Sequence, residues 1–171
     1  MTARRLLEYL LSNATGPWAA VLEPFGSSPS SALHLAVFQK PYLAYILDGS
    51  KTVESRFSIH GVAPYGRVAR GDLILLKGSG QPAVGCCRAA HVWDYELAPD
   101  SWDEIRAKFG PALRAQDGFW ESRSRARYAT LIRMEDVRIV EPLLVPKRDR
   151  RGWVVLTSEV CQSPTLWPSL P

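Results

Sequence analysis

The sequence predicts a mixed, mainly β protein: a small closed or nearly closed barrel of about six strands with two to four short helices. Two observations carry this reading. Six short apolar runs are punctuated by Gly and Pro, and the helical segments between them do not alternate as regular βαβ units. The chain's 171 residues, 46% hydrophobic and 22% charged, suit one soluble globular domain with a sizeable core.

The elements follow in order. Leu6, Leu7, Leu10 and Leu11 recur at helical spacing and predict an amphipathic helix over 3–13. Glu8 interrupts any signal-like core there, and no apolar run reaches membrane-spanning length. Gly26 to Ser31 is a linker by composition, which divides the chain into a leader of 1–32, a body of 33–160 and a tail of 161–171. The body opens with a strand over Leu33 to Phe38. Pro41 suits the first turn of a short helix whose apolar face is Tyr42, Leu43, Tyr45, Ile46 and Leu47, and Gly49 is placed to end it in a left-handed cap. A strand from Thr52 to Phe57 follows. After a loop over 61–71 come a strand from Asp72 to Lys77, a Gly-rich turn at 78–82 and a long strand from Ala83 to about Tyr95. The turn lacks the Lys-Ser/Thr ending of a phosphate loop. Ser101-Trp102-Asp103-Glu104 reads as a capping box for a helix reaching about Phe109, with a second helix over 111–120. Tyr128 to Val140 is one strand or two, and Trp153 to Leu156 closes the sheet.

The octet from Gly49 to Arg56 concentrates the chemistry. Period two puts Thr52, Glu54 and Arg56 on one strand face, and Lys51 at the strand's mouth can swing toward them. Charges around a turn also make solvated rims, where an ion pair is worth little. The spacing Gly49-x-Lys51-x-x-Glu54-x-Arg56 resembles the G-x-K-x-x-E-x-R signature of the ASCH (activating signal cointegrator homology) domain. The run from Leu35 to Tyr42, with Gln39 and Pro41, and the later runs 71–76 and 151–156 are also similar to that family, over about residues 33–157. The resemblance implies a PUA-like barrel and an RNA-related role. Lys51, Glu54, Arg56, Gln39 and Lys77 are then the expected ligand contacts. Some small members of the family remove the acetyl group from acetylated cytidine with the signature lysine, a threonine and a further glutamate, and a few are reported as ribonucleases. Here Glu54 stands where that threonine is expected, and Thr52 is two positions away. Lys51, Glu54 and Thr52 are the catalytic candidates if the chain is a hydrolase acting on a modified nucleoside or on RNA.

Charge points to the partner. Residues 1–122 hold 12 Lys/Arg and 12 Asp/Glu, whereas residues 123–151 hold 9 against 4. Arg123, Arg125 and Arg127 alternate, so an extended chain aligns them on one face, and Lys147, Arg148, Arg150 and Arg151 form a second cluster. Such clusters are the footprint of a polyanion, expected to be RNA or another single-stranded nucleic acid, with a modified nucleoside as the alternative. Cys86, Cys87 and Cys161 make no disulfide framework or zinc spacing. His34, His60 and His91 have no carboxylate partner at a ligand spacing. No metal or cofactor is expected, and a reducing cytoplasm is.

Overall fold

A computed structural model of the chain describes residues 2–26, 31–147 and 150–157. Linker residues 27–30, loop residues 148 and 149, and the tail from 158, with Cys161 and Trp167, lie outside the described residues. Helix α1 (Ala3–Asn13) is capped by Thr2, whose Oγ1 accepts from Arg5 N. A short α2 (Pro17–Leu22) follows. Strand β1 (Leu33–Phe38), helix α3 (Tyr42–Leu47), strands β2 (Val53–Ser58), β3 (Leu73–Gly78) and β4 (Ala83–Glu96), helix α4 (Pro99–Leu113), and strands β5 (Tyr128–Leu143) and β6 (Trp153–Thr157) complete the order.

The six strands form one mixed sheet in the order β2-β5-β4-β3-β1-β6, parallel between β1 and β3 and antiparallel elsewhere. Strands β4 and β5 slip register at three places along their pairing. Each such irregularity bends and twists the strands. Gly85 sits at one of them, where a Cβ would lie 2.5 Å from the carbonyl oxygen of Arg138. The sheet curls into a PUA-like half-barrel, and β2 comes to face the β1–β6 end across a seam. Arg56 of β2 crosses that seam, donating to the carbonyls of Val37 in β1 and Gly152 just before β6.

Three apolar clusters hold the structure. Leu6 and Leu10 of α1, with Trp18 and Leu22 of α2, pack with Leu35, Leu75, Val154 and Leu156, so residues 3–25 share the sheet's core. Phe38, Ile46, Leu76, Cys87, Ile132 and Trp153 belong to a second cluster. Ile105, Phe109 and Leu113 recur every four residues along α4 and pack with Val53, Phe119 and Leu131. No helix among the described residues is long and apolar enough to cross a membrane.

Several local expectations change. Helix α2 is new: Pro17 starts it, and its buried pair Trp18 and Leu22 spans a single turn, too short for periodicity to reveal. Helix α4 begins at Pro99, three residues before the start that a cap at Ser101 predicts, and Ser101 Oγ instead accepts from the backbone N–H of Ala98. It also runs through Pro111, although a proline there removes one intrahelical bond, because Leu113 extends the buried stripe. The chain then turns at Arg114 in a left-handed conformation, φ 54°, and no second helix fills 111–120. Strand β5 is continuous, passing Asp136 at φ 50°. Residues 121–123 form a 3₁₀ turn, so Arg123, Arg125 and Arg127 do not align along an extended strand.

Candidate functional site

The loop from α3 to β2 builds the site. Asp48 caps α3, Gly49 takes the left-handed conformation at φ 77°, and Lys51 N–H donates to the carbonyl of Tyr45 at 2.7 Å. This turn directs the Lys51 side chain inward, where only 3% of the residue is exposed. Its Nζ donates to the carbonyls of Val53 at 2.7 Å and Leu113 at 3.1 Å, and lies 3.3 Å from Glu54 Oε2. Leu113 is the last residue of α4, so the ammonium also sits at the negative end of that helix. Burial pulls the Lys51 pKa down, and Glu54 opposes that shift.

Glu54 is itself buried, with Lys51 on one oxygen and Arg56 Nε 2.7 Å from the other. The Arg56 Nε–H is not aimed along that line, so the contact is an ion pair rather than an aligned hydrogen bond. Arg56 Nη1 and Nη2 reach the carbonyls of Gly152 at 3.1 Å and Val37 at 3.0 Å. Its guanidinium lies 5.0 Å from the ring centre of Phe38 and 5.4 Å from that of Trp153. A Cβ on Gly152 would come within 2.9 Å of Arg56 Nη1.

These groups line a cleft of about 810 Å³, within the range of small-molecule and cofactor sites. Gln39, Lys51, Glu54, Arg56, Lys77, Arg123, Lys147, Arg150 and Arg151 are on its walls, with Tyr42, Phe57 and Phe119 among them. Among the described residues the lining carries seven cations against one carboxylate. Lys77 Nζ donates to the carbonyls of Gly78 and Gln81, and burial together with Lys147 pulls its pKa down. Arg123 Nη1 donates to the carbonyl of Phe119 and to Ser122 Oγ, each at 2.8 Å, while its guanidinium stacks 3.8 Å from the Phe119 ring centre.

Three of the predicted residues are not brought into the cleft. Thr52 is exposed, because its backbone is held between α4 and β5 by bonds to Ala112 and Met134 and the strand proper starts one residue later. Arg125 and Arg127 are exposed beyond the 3₁₀ turn. Arg148 lies outside the described residues.

A buried polar network was missed in the sequence. His34 and Asp72, 38 positions apart, meet because β1 and β3 run parallel: Nε2 lies 2.9 Å from Asp72 Oδ2. Trp153 Nε1–H donates to His34 Nδ1 at 3.2 Å, which assigns the other ring nitrogen as the donor to Asp72. Trp153 therefore joins this network to the underside of Arg56. Only pairing of the two strands reveals it, so no local signal was available.

No protein-family model matches the sequence, and no curated protein matches it. The fold does have solved counterparts. An ASCH protein from Zymomonas mobilis superposes with a TM-score of 0.59 at 13% identity, over 74% of this chain and 89% of that one. A substituted form of the same protein gives 0.58 at 13% identity, over 74% and 91%. This chain has the ASCH-type fold. That likeness bears on the fold alone; the cleft and the charges lining it are read from this chain's own residues.

Proposed function

We propose that this chain binds nucleic acid, most directly RNA, or a nucleoside derived from it, in the cleft beside Lys51, Glu54 and Arg56. The observation that carries the reading is the excess of cations: seven against one carboxylate, in a concave site with aromatic walls. Excess positive charge in a cleft concentrates a phosphate-bearing ligand, and aromatic rings offer faces on which bases stack. The likeness of residues 49–56 to the G-x-K-x-x-E-x-R signature supports the same class of ligand.

A hydrolytic role for Lys51 and Glu54 has one supporting feature, the lowered Lys51 pKa. Against it, Nζ has three acceptors for the three N–H bonds of an ammonium, leaving no lone pair to take a proton. Binding is therefore the preferred reading. Anisotropy titration with a labelled single-stranded oligouridylate tests it: affinity falls steeply as salt rises. Absence of binding at low salt removes the reading.

A further inference from the structure

The cations of the cleft differ in which of their donors are already engaged. Lys51 has an acceptor for each of its three N–H bonds. Arg56 has both terminal nitrogens on backbone carbonyls and Nε against Glu54. Lys77 directs Nζ at two carbonyls of its own turn. Arg123 is different. Both of its engaged hydrogen bonds come from Nη1, and Nε and Nη2 have no hydrogen-bond or ion-pair partner among the described residues. Neither is a buried orphan, so both keep contact with solvent in a residue that is half-buried.

Resting on the nucleic-acid reading, we infer that Arg123 grips a ligand phosphate in the cleft, through its Nε–Nη2 edge. That edge presents two parallel N–H bonds, the geometry that matches two oxygens of one phosphate group. The side chain is held ready for it. Stacking on Phe119 fixes the guanidinium plane, and the two bonds from Nη1 fix its rotation within that plane. An arm held in this way loses little rotamer freedom when the ligand arrives. Glu54 makes its ion pairs with Lys51 and Arg56 and acts on Arg123 only through its field. Arg56, which the motif marks as the ligand arginine, instead closes the seam of the barrel.

The experiment follows the Arg123 Nε–Hε resonance in the native chain and measures oligouridylate affinity in the native chain, Arg123→Lys and Arg123→Met. The resonance shifts with the oligonucleotide and with uridine monophosphate, and stays in place with uridine, which carries no phosphate. Arg123→Lys keeps the charge but loses the two-pronged edge, so affinity falls about tenfold at an unchanged salt slope. Arg123→Met loses as much or more and lowers the slope by about one. A resonance that ignores the phosphate, or that moves equally with uridine, overturns the assignment even if a variant fails to fold. Native-like binding by Arg123→Lys overturns it while leaving the nucleic-acid reading standing. No oligonucleotide affinity in the native chain overturns both.

Discussion

Arg56 and Arg123 line the same cleft, each against aromatic rings, and their structural roles differ. Arg56 lies on a strand at the sheet's edge, and its guanidinium ties β2 to β1 and to the approach to β6. Arg123 lies on a short 3₁₀ turn after α4, anchored at one nitrogen only. The first arginine completes the barrel and the second is left with donors to offer. A positive charge in a cleft is thus no measure of its availability to a ligand. What matters is which of its N–H bonds the fold has already used: two in each arginine, one from each terminal nitrogen of Arg56 but both from Nη1 of Arg123.

The comparison breaks most readily at Glu54, the carboxylate shared by Lys51 and Arg56. Glu54→Ala leaves the buried Lys51 without its counter-charge and is expected to destabilise the chain by about 3–5 kcal/mol, measured by urea denaturation. The milder Glu54→Gln separates binding from catalysis. If Glu54 serves as an acceptor, affinity weakens by about 1–3 kcal/mol. If it serves as a general base, turnover drops roughly 100-fold while affinity changes much less. The expected outcome is the first, with no turnover of acetylated cytidine or RNA by the native chain, and Glu54-dependent release of acetate reverses the ranking.

Arg56→Lys sharpens the contrast with Arg123→Lys. A lysine does not span the carbonyls of Val37 and Gly152 together, so Arg56→Lys should cost about 1–3 kcal/mol of stability. Arg123→Lys should cost less stability than Arg56→Lys, because its two bonds stay within residues 119–123 and tie no strands together, and it should act chiefly on affinity. Equal loss of stability in the two variants would erase the distinction drawn between the arginines.

Acid tests the network beneath Arg56. Burial raises the Asp72 pKa, but hydrogen bonds from His34 and from the N–H groups of Ala69 and Ala32 outweigh it and hold the carboxyl below its usual value. A carboxyl shifted this way contributes stability above its unfolded pKa of about 3.9, and loses it as pH falls through the lower folded value. Asp72→Asn should flatten the acid limb of the stability curve while lowering stability at neutral pH. An acid limb unchanged in the variant argues against the pairing with His34. The smallest effect belongs to Arg125 and Arg127. Replacing both with glutamine should change stability by no more than about 0.5 kcal/mol, because both are exposed outside the cleft. It should weaken oligouridylate binding less than Arg123→Met alone, and a larger loss would move the nucleic-acid path onto the outer surface.

Local patterning made much of this protein legible from its sequence. Strand and helix identity, the left-handed turn at Gly49 and the clustering of Lys51, Glu54 and Arg56 follow from side-chain periodicity and backbone preference over a few neighbouring residues. Pro111 misled for the same reason: its local preference to end a helix is overridden by the tertiary burial of Leu113. Tertiary structure alone decided which of these groups remain available. The partners that occupy Lys51 and Arg56 are backbone carbonyls, and every residue carries one, so no pattern of residue types marks Leu113, Val37 or Gly152 as acceptors. Only the curl of the sheet brings those carbonyls within reach, and only the 3₁₀ turn after α4 leaves an edge of Arg123 without a partner.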